Sequence, residues 1–232
     1  MRLGLLGDIH GNALALSAVL RAVVRCEVDA LCLPGDFVGY YYEPDKVFNM
    51  LQGWTLYAVR GNHEDMFLEC LTDPMAVEKY RLRYGSGLNC AIRLLPSTDT
   101  DFIRRLPRTL LLELDGKNLL LAHGTPWDTD CYLYQDTEPA LWDKVAEKAY
   151  DYIVLGHTHH RFVKRLGNTL VINPGSVGQP RDRQSGAAWA VLDTDTGRFE
   201  HRTEPYDIAR VAAQARSTDP HLPYLWEVLS RQ

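Results

Sequence analysis

The stretch LGLLGDIHGNALALSAVLRAVV, residues 3–24, decides the fold of this chain. It opens with the apolar run LGLLG, which is typical of a short buried strand. Residues 12–24 then carry apolar side chains at helical spacing, and Asn12 stands where a helix N-cap is expected. A buried strand that leads directly into a helix predicts a βαβ unit, in which successive strands pair in parallel.

The same alternation continues downstream. ALCLPGD (30–36) and TLYAV (55–59) predict two more buried strands, and EPDKVFNML (43–51) between them predicts a helix with Pro44 in its first turn. Residues 66–106 have a mostly helical pattern. Strands that alternate with helices in this way favour a parallel sheet.

The second half of the chain has a different pattern. Paired apolar runs around short turns predict hairpins at residues 109–124, 161–173 and 187–206. A helix and a buried strand separate the first two hairpins, and a helical tail ends the chain. We therefore expect an α/β (α+β) chain with mixed sheets, helices outside them, and a single domain over residues 1–232.

Composition and charge narrow the function classes. The 232 residues are 46% hydrophobic and 24% charged, which is ordinary for a folded domain. A net charge of −5 argues against nonspecific nucleic-acid binding, although bound divalent ions could reverse the sign locally. The N-terminal apolar run is too short for a signal peptide, and no stretch approaches a membrane span. With five scattered cysteines and no CxxC pair, we expect no disulfide framework and a cytoplasmic location.

Polar side chains follow five of the predicted strands at the point where each strand ends. Ligand sites of open α/β sheets form beyond the carboxyl ends of the strands. One aspartate or histidine at such a place is ordinarily a turn or structural residue, but five coincident strand ends need another explanation. The residues are Asp8, His10, Asp36, Asn62, His63, His123, His157 and His159.

The donor types indicate transition metals. Carboxylates, imidazoles and one amide, without thiolate, suit Mn, Fe, Zn, Ni or Co better than a structural zinc site. Even seven ligands from these eight residues are more than one metal with an open position needs. They suit two divalent ions about 3.5–4 Å apart, which share a bridging carboxylate and activate water for displacement at phosphorus.

Taken in order, the motifs GDIHGN, GD, RGNHE, HG and GHTH resemble those of the calcineurin-like metallophosphoesterases. INPGSVGQPRD (172–182) is similar to a segment of the small single-domain prokaryotic members. The resemblance implies a four-layer αββα sandwich of two mixed sheets flanked by helices, with the site at one rim. It also implies two divalent transition metal ions, with manganese favoured over iron, zinc, nickel and cobalt.

Carried over by motif, the resemblance divides the residues by role. It implies hydrolysis of a phosphodiester or phosphomonoester by a metal-bridging hydroxide. His63 would not bind metal but would face the phosphate and either protonate the leaving oxygen or stabilise the developing charge. The implied ligands are Asp8, His10 and His159 for one ion, Asn62, His123 and His157 for the other, and Asp36 as the bridge.

One motif departs from the Ser/Thr protein phosphatases of the family. Those enzymes carry GDxVDRG, whose acid orients the catalytic histidine and whose arginine holds phosphate. Here GDFVGYY places Gly39 and Tyr40 at those positions, and Arg60 and Glu64 of RGNHE do not restore the missing pair. The sequence therefore favours a small phosphoester or nucleotide substrate over a phosphoprotein.

Candidate substrate contacts are Arg181 and Tyr40. Arg181 and its neighbour Arg183 are either phosphate ligands or solvated loop charges. Aromatic side chains near the ligand positions either stack a nucleobase or aryl group, or line the core or a subunit contact. They are Tyr40, Tyr41, Tyr42, Trp127 and Tyr132.

Other functions stay open beside a dinuclear phosphoesterase. A Ser/Thr protein phosphatase-like enzyme and a dinucleoside polyphosphate hydrolase need the same metal core. A non-catalytic metal-binding scaffold would have lost part of the site, whereas all ligands and His63 are present here. A nuclease would want a basic groove, which is not evident. The sequence leaves the oligomeric state and the preference for monoesters or diesters undecided.

The three histidines of GHTHH (156–160) need separate interpretations. Side chains alternate in direction along a strand, so an extended segment would point His157 and His159 into the site and Thr158 and His160 away. Together with the ligand sets that the resemblance implies, this gives each ion one ligand from the segment and leaves His160 as a bystander or as a residue that supports a ligand.

Overall fold

Two sheets face each other in the computed structural model, which describes residues 1–231. Each sheet has five strands, and the strands in chain order are β1 (Arg2–Leu5), β2 (Ala30–Leu33), β3 (Leu56–Ala58), β4 (Thr109–Leu114), β5 (Lys117–Ala122), β6 (Tyr152–Val154), β7 (Arg161–Leu166), β8 (Thr169–Pro174), β9 (Ala187–Asp193) and β10 (Phe199–Glu204). The first sheet has the order β10-β9-β1-β2-β3 and the second has the order β4-β5-β6-β8-β7.

Helices lie on the outer faces of both sheets. They are α1 (Ala13–Arg25), α2 (Pro44–Leu51), α3 (Asn62–Cys70), α4 (Pro74–Tyr84), α5 (Gly87–Leu94), α6 (Ser97–Arg105), α7 (Pro139–Ala146), α8 (Ile208–Thr218) and α9 (Tyr224–Glu227), with a short 3₁₀ turn at Val228–Ser230. The predicted four-layer αββα architecture is therefore confirmed. Within residues 1–231, no helix is both long enough and apolar enough to cross a membrane.

Strand pairing follows the predicted pattern. β1 pairs with β2 and β2 with β3 in parallel, as the βαβ pattern requires. In the second sheet, β6 lies parallel to both β5 and β8. The three predicted hairpins form as β4–β5, β7–β8 and β9–β10. Each sheet is mixed because hairpin strands join a parallel centre.

The first helix forms where the opening stretch predicts it. Asn12 caps α1, since its Oδ1 accepts a hydrogen bond from the Ala15 N–H at 3.1 Å. Leu16, Val19 and Val23 recur at helical spacing and are fully buried against the first sheet. Burial of each such side chain stabilises the fold by about 1.5–3 kcal/mol.

Alternating strand residues fill the space between the sheets. Leu3 and Leu5 of β1 meet Leu119 and Leu121 of β5 in one fully buried cluster. The opposite faces pack against helices, for example Trp142 of α7 on the second sheet. Because every central strand is covered on both faces, the strands consist of nearly continuous apolar runs.

Helices α8 and α9 pack beside the loop that follows β2. The Tyr41 hydroxyl donates to the Leu225 carbonyl at 2.9 Å, and the Tyr42 hydroxyl donates to the Asp219 carboxylate at 2.9 Å. Both tyrosines are buried in a cluster with these helices. The helical tail therefore holds the loop that carries Tyr40.

Candidate active site

The carboxyl ends of the parallel strands meet at one rim of the two sheets. β1, β2 and β3 run parallel in the first sheet, and β5 and β6 do so in the second. The segments that leave them place Asp8 and His10 after β1, Asp36 after β2, Asn62 and His63 after β3, His123 after β5, and His157 and His159 after β6. Both sheets therefore contribute to the site.

Four of these side chains form a buried cluster that could hold a metal ion. One ligand atom from each of Asp8, His10, Asp36 and His159 lies within 4.8 Å of the others. The Nε2 atoms of His10 and His159 are 3.1 Å apart. Asp36 Oδ2 lies 3.5 Å from His10 Nε2, and Asp8 Oδ1 lies 3.4 Å from His159 Nε2. Two imidazoles and two carboxylates around one point suit a transition-metal ion.

Asp36 also faces a second group of side chains. His123 Nε2 lies 3.4 Å from Asp36 Oδ2 and 3.0 Å from Asn62 Oδ1. The rings of His157 and His123 are 4.9 Å apart, centroid to centroid. Asp36 thus lies between the two groups.

Backbone carbonyls orient the imidazole rings. Because a carbonyl only accepts, a ring nitrogen beside one carries a proton, and in the neutral imidazole the lone pair lies on the other nitrogen. His157 contacts the Asp130 carbonyl through Nε2 at 3.1 Å, which leaves its lone pair on Nδ1. The other three rings donate through Nδ1 and turn Nε2 inward: His10 to Val38 (3.0 Å), His123 to Pro34 (2.6 Å) and His159 to Gln179 (2.7 Å).

Left-handed backbone is concentrated among these residues. Positive φ is uncommon outside glycine and costs about 1–3 kcal/mol per residue, and it clusters at functional sites. Here it turns the chain sharply as it leaves a strand, so that the side chain reaches the rim. Five predicted ligands adopt it: Asp8 (54°), His10 (52°), Asp36 (59°), His157 (66°) and His159 (58°).

The two buried aspartates differ in pKa. Burial raises the pKa of Asp36, but electrostatic interaction with His123 and His63 outweighs burial and holds the pKa well below its usual value. For Asp8, burial dominates over the opposing charge of His123, so its pKa is raised. Asp8 Oδ2 is buried without a hydrogen-bond partner. A buried, unpaired carboxylate oxygen is costly, which favours a cation at this place.

Glu64 is fully buried and fixes the loop after β2. Its carboxylate accepts four backbone N–H groups, from Asp36 (2.7 Å), Phe37 (2.8 Å), Val38 (3.2 Å) and Gly61 (2.9 Å). Burial raises the pKa of Glu64, and the charge of Asp36 adds to this effect. Glu64 therefore joins the loop that carries Asp36 to the start of α3.

His63 lies in the first turn of α3, beside the buried cluster. Its ring centroid is 4.7 Å from that of His10 and 4.7 Å from that of Tyr40. Burial lowers the pKa of His63 to about 4, and the charge of Asp36 opposes the shift. Its Nδ1 is buried without a hydrogen-bond partner.

The position where protein phosphatases of the family carry an acid lies directly against His63. A Cβ at Gly39 would come within 2.1 Å of His63 Nδ1, and the φ of Gly39 is +88°. The glycine backbone thus takes the space that an acidic partner would need.

Arg181 and Tyr40 lie together at the site. Arg181 donates to the Tyr40 hydroxyl at 2.9 Å and to Gln179 Oε1 at 2.8 and 3.2 Å. The Tyr40 ring packs 4.5 Å from the His10 ring. Arg181 forms no ion pair with a carboxylate anywhere in residues 1–231. Arg183, the alternative arginine, is exposed to solvent.

A cavity of about 270 Å³ opens above this site. The sequence predicts two aromatic residues of the loop 124–138 near the site, Trp127 and Tyr132, and of these Tyr132 lines the cavity. Four residues of α4 were not predicted, because no motif marks that helix. They are Lys79, Tyr80, Arg83 and Tyr84.

A family model of the calcineurin-like phosphoesterase superfamily domain matches residues 1–197. The chain belongs to this superfamily. An uncharacterized protein of Methanocaldococcus jannaschii is 27% identical over 229 residues, with 90% of this chain and 89% of the relative covered. The solved structure of a metallophosphoesterase from Sphaerobacter thermophilus matches with a TM-score of 0.79 and 27% identity, covering 100% of this chain and 98% of that chain.

A hypothetical protein of Pyrococcus horikoshii is similar in fold, with a TM-score of 0.84 at 19% identity and coverage of 99% and 98% of the two chains. The family is metal-dependent, and the buried cluster is a potential metal site. This calcineurin-like phosphoesterase is therefore a phosphoric ester hydrolase, as predicted.

The predicted aromatic contacts divide into three groups. Tyr40 and Tyr132 line the cavity. Tyr41 and Tyr42 are core residues beneath it. Trp127 lies elsewhere, with the Lys144 ammonium 4.0 Å from its ring centroid.

The predicted conformation of GHTHH was wrong in one respect. β6 ends at Val154, so the alternation of a strand does not extend to residues 157–160. His157 and His159 instead reach the rim through left-handed turns. Thr158 does point away, since its hydroxyl accepts from Asn173 at 3.1 Å, and His160 packs against Tyr134.

Proposed function

We propose that this phosphoesterase hydrolyses a phosphomonoester or phosphodiester with two divalent transition metal ions. The orientation of the imidazoles carries the proposal, because the lone pairs of His10, His123 and His159 point inward around Asp36. The unpaired oxygen of Asp8 adds support. A mixed nitrogen and oxygen donor set without thiolate suits manganese first, and iron, zinc, nickel or cobalt as alternatives.

We assign the ligands according to the two groups around Asp36. Asp36 would bridge, since it lies within 3.5 Å of an imidazole nitrogen of each group. His157 would bind through Nδ1, because its Nε2 contacts a carbonyl. The remaining ligands are Asp8, His10 and His159 for one ion, and Asn62, His123 and His157 for the other.

When bound, the ions would supply Lewis-acid chemistry and a reactive water at neutral pH. Water would add to phosphorus as the bond from phosphorus to the leaving oxygen breaks. His63 is the proposed catalytic residue, which either passes a proton to the leaving oxygen or stabilises its developing charge. Arg181, held by Tyr40, would bind a phosphate oxygen in place of the arginine that GDFVGYY lacks.

A small phosphoester or nucleotide is the proposed substrate. Gly39 supplies no acid to His63, unlike the protein phosphatase motif, and the cavity of about 270 Å³ suits a small molecule. A dinucleoside polyphosphate hydrolase, which needs the same core, is the second candidate because cations and tyrosines line the cavity. We do not favour a nucleic-acid partner, given the net charge of −5.

The domain and its location complete the proposal. We propose one domain over residues 1–232, since α8 and α9 pack against the loop that carries Tyr40. A cytoplasmic location is supported by the five cysteines, all of which are unpaired within residues 1–231.

Two variants test the mechanism. His63→Ala should keep about two metal ions per chain but lose about 10²–10⁴-fold in turnover. Asp36→Asn should lose both the metal and the activity, because it weakens the bridge. The measurements are metal content by elemental analysis and hydrolysis of p-nitrophenyl phosphate and bis-p-nitrophenyl phosphate with added manganese.

His160→Gln is the matched control. His160 adjoins His159 but packs against Tyr134, so the variant should keep both metal and turnover. Normal turnover in His63→Ala would remove the role of His63. Unchanged metal content in Asp36→Asn would contradict the bridge, and no hydrolysis with any of the five metals would contradict the proposed function.

A further inference from the structure

Helix α4 presents one face to the cavity above the site. Lys79, Tyr80, Arg83 and Tyr84 recur in pairs four residues apart, and all four line the cavity. None of them has a part in the metal cluster or in the motifs. This face of α4 therefore has to be explained by something other than metal binding.

Aromatic rings surround the side of the cavity where His63 lies. The Tyr84 ring is 5.3 Å from His63 and 6.0 Å from Tyr40, centroid to centroid. Tyr132 packs 4.0 Å from His157 and is 47% exposed, so its ring is open to a ligand. A group that leaves from the His63 side meets a surface on which a planar ring can stack.

Cations accompany these rings. The Arg83 guanidinium lies 5.0 Å from the centroid of the Tyr84 ring and has no carboxylate partner in the described part of the chain. Lys79 is exposed, and its Nζ lies 4.0 Å from Glu69 Oε1, which makes a long ion pair. A guanidinium stacked on a ring keeps its N–H edges free for a phosphate. Apart from Asp36, the acid that lines this cavity is Asp130, although the chain carries a net charge of −5.

The C-terminal helices hold the α4 side of the cavity, formed by Lys79, Tyr80, Arg83 and Tyr84 and called the wall below, in place. Asp219 accepts the Ser86 N–H at 2.8 Å and the Ser86 hydroxyl at 2.7 Å, which fixes the turn after Tyr84. Tyr224 packs 6.1 Å from Tyr40, and its hydroxyl donates to the Arg83 carbonyl at 3.4 Å. The wall is thus pre-organised before a ligand arrives.

We propose that this wall is a leaving-group subsite for a nucleoside phosphate, with a nucleoside diphosphate or polyphosphate as the substrate class. Tyr84 would stack on the base, and Arg83 would pair with a further phosphate. Water would add to the terminal phosphorus, the bond to the bridging oxygen would break, and the nucleoside phosphate would leave with the proton. The inference rests on the proposed function, because His63 marks the leaving side.

A series of three inhibitors of increasing size, called the ladder below, tests the subsite. With manganese-loaded enzyme and p-nitrophenyl phosphate as substrate, inhibition constants should fall from ribose 5-phosphate to adenosine monophosphate to adenosine diphosphate. The first step adds the base and the second adds a phosphate, and each should tighten binding about tenfold. Ribose 5-phosphate accounts for simple binding of phosphate at the metal centre.

Four variants assign the two steps. Tyr84→Leu should lose the gain from the base while it keeps the packing volume, and Tyr84→Phe should retain that gain. Arg83→Gln should lose the gain from the second phosphate. Arg81→Gln is the matched control on the same helix, since Arg81 binds Glu78 at 2.7 and 2.8 Å and is not among the cavity-lining residues. The Arg81→Gln variant should be inhibited by the three compounds as the wild type is, and it should have the same turnover.

Two results would overturn the inference. If adenosine monophosphate inhibits no better than ribose 5-phosphate while p-nitrophenyl phosphate is hydrolysed, the subsite is wrong and the proposed function stands. The same holds if Tyr84→Leu and Arg83→Gln leave the ladder unchanged. If no phosphoester is hydrolysed, the proposed function fails, and calorimetric binding of the three compounds to the metal-loaded protein then decides the subsite alone.

Discussion

At the scale of single residues, the site depends on unusual backbone as much as on side-chain type. Asp8 and Asp36 both have positive φ immediately after glycine, and this conformation brings their carboxylates to the rim. The residue types were predictable because strand ends in parallel sheets collect ligands. The left-handed turns were not, because aspartate and histidine adopt them only where the surrounding structure compensates the strain.

Gly39→Ala should destabilise the protein by about 2–4 kcal/mol and reduce turnover. The new Cβ would lie 2.1 Å from His63 Nδ1, so it must displace the proposed catalytic ring, and the φ of +88° adds backbone strain. Urea unfolding of the purified variant and hydrolysis of p-nitrophenyl phosphate are the measurements.

Gly53→Ala is the control that separates the backbone strain of a positive φ from the steric clash with His63. Gly53 has a φ of +85°, yet a Cβ there would meet nothing within 4 Å. This variant should cost only about 1 kcal/mol and keep full turnover. Equal losses in the two variants would show that the contact with His63 is unimportant.

At the scale of elements, the chain beyond the family-matched residues 1–197 supports the site. The segment from the end of α8 to α9 contributes Asp219, Tyr224 and Leu225, which contact the loop after β2, the end of α4 and the turn between α4 and α5. The sequence predicts a helical tail but not the residues that the tail contacts. Its polar contacts join residues more than 130 positions apart, and no local pattern encodes such pairs.

Asp219→Ala should destabilise the protein by about 2–4 kcal/mol. The buried carboxylate accepts hydrogen bonds from Tyr42 and from both the N–H and the hydroxyl of Ser86, and the variant leaves these donors without a partner. Chemical denaturation followed by tryptophan fluorescence measures the loss.

Asp207→Ala is the control for this prediction. Asp207 caps α8 through the Arg210 N–H at 3.0 Å and makes no contact with the loop after β2 among its hydrogen bonds in residues 1–231. Its loss should cost about 1 kcal/mol, as is usual for a helix cap. If both substitutions reduce the free energy of unfolding equally, Asp219 contributes no more than a helix cap does.

At the scale of the whole molecule, the site joins the two sheets. Asp8, Asp36 and Asn62 leave strands of the first sheet, whereas His123 and His159 leave strands of the second. Ions bound between them would connect the sheets at a rim where the apolar contacts between them give way to polar ligands. Metal binding should therefore stabilise both sheets together.

Adding manganese to chelator-treated protein should raise the free energy of unfolding. Ligand binding at about 100 times its dissociation constant contributes about 2.7 kcal/mol. Hydrogen exchange should slow in β1–β2 and in β5–β6 to the same extent, since global unfolding releases the metal. Protection of one sheet alone would contradict ligands from both, and Asp36→Asn should show no protection at all.

The sequence by itself determined the order of strands and helices, the types of the candidate ligands and the superfamily, because these depend on local periodicity and on motifs of adjacent residues. Only the tertiary structure decided how the candidate ligands converge, that β6 stops before GHTHH, and that α4 and the C-terminal helices build the wall above His63. Those features arise from contacts between distant segments. Gly39 is an example: the sequence shows that this position has no acidic side chain, but the close approach of Gly39 to His63 exists only after folding.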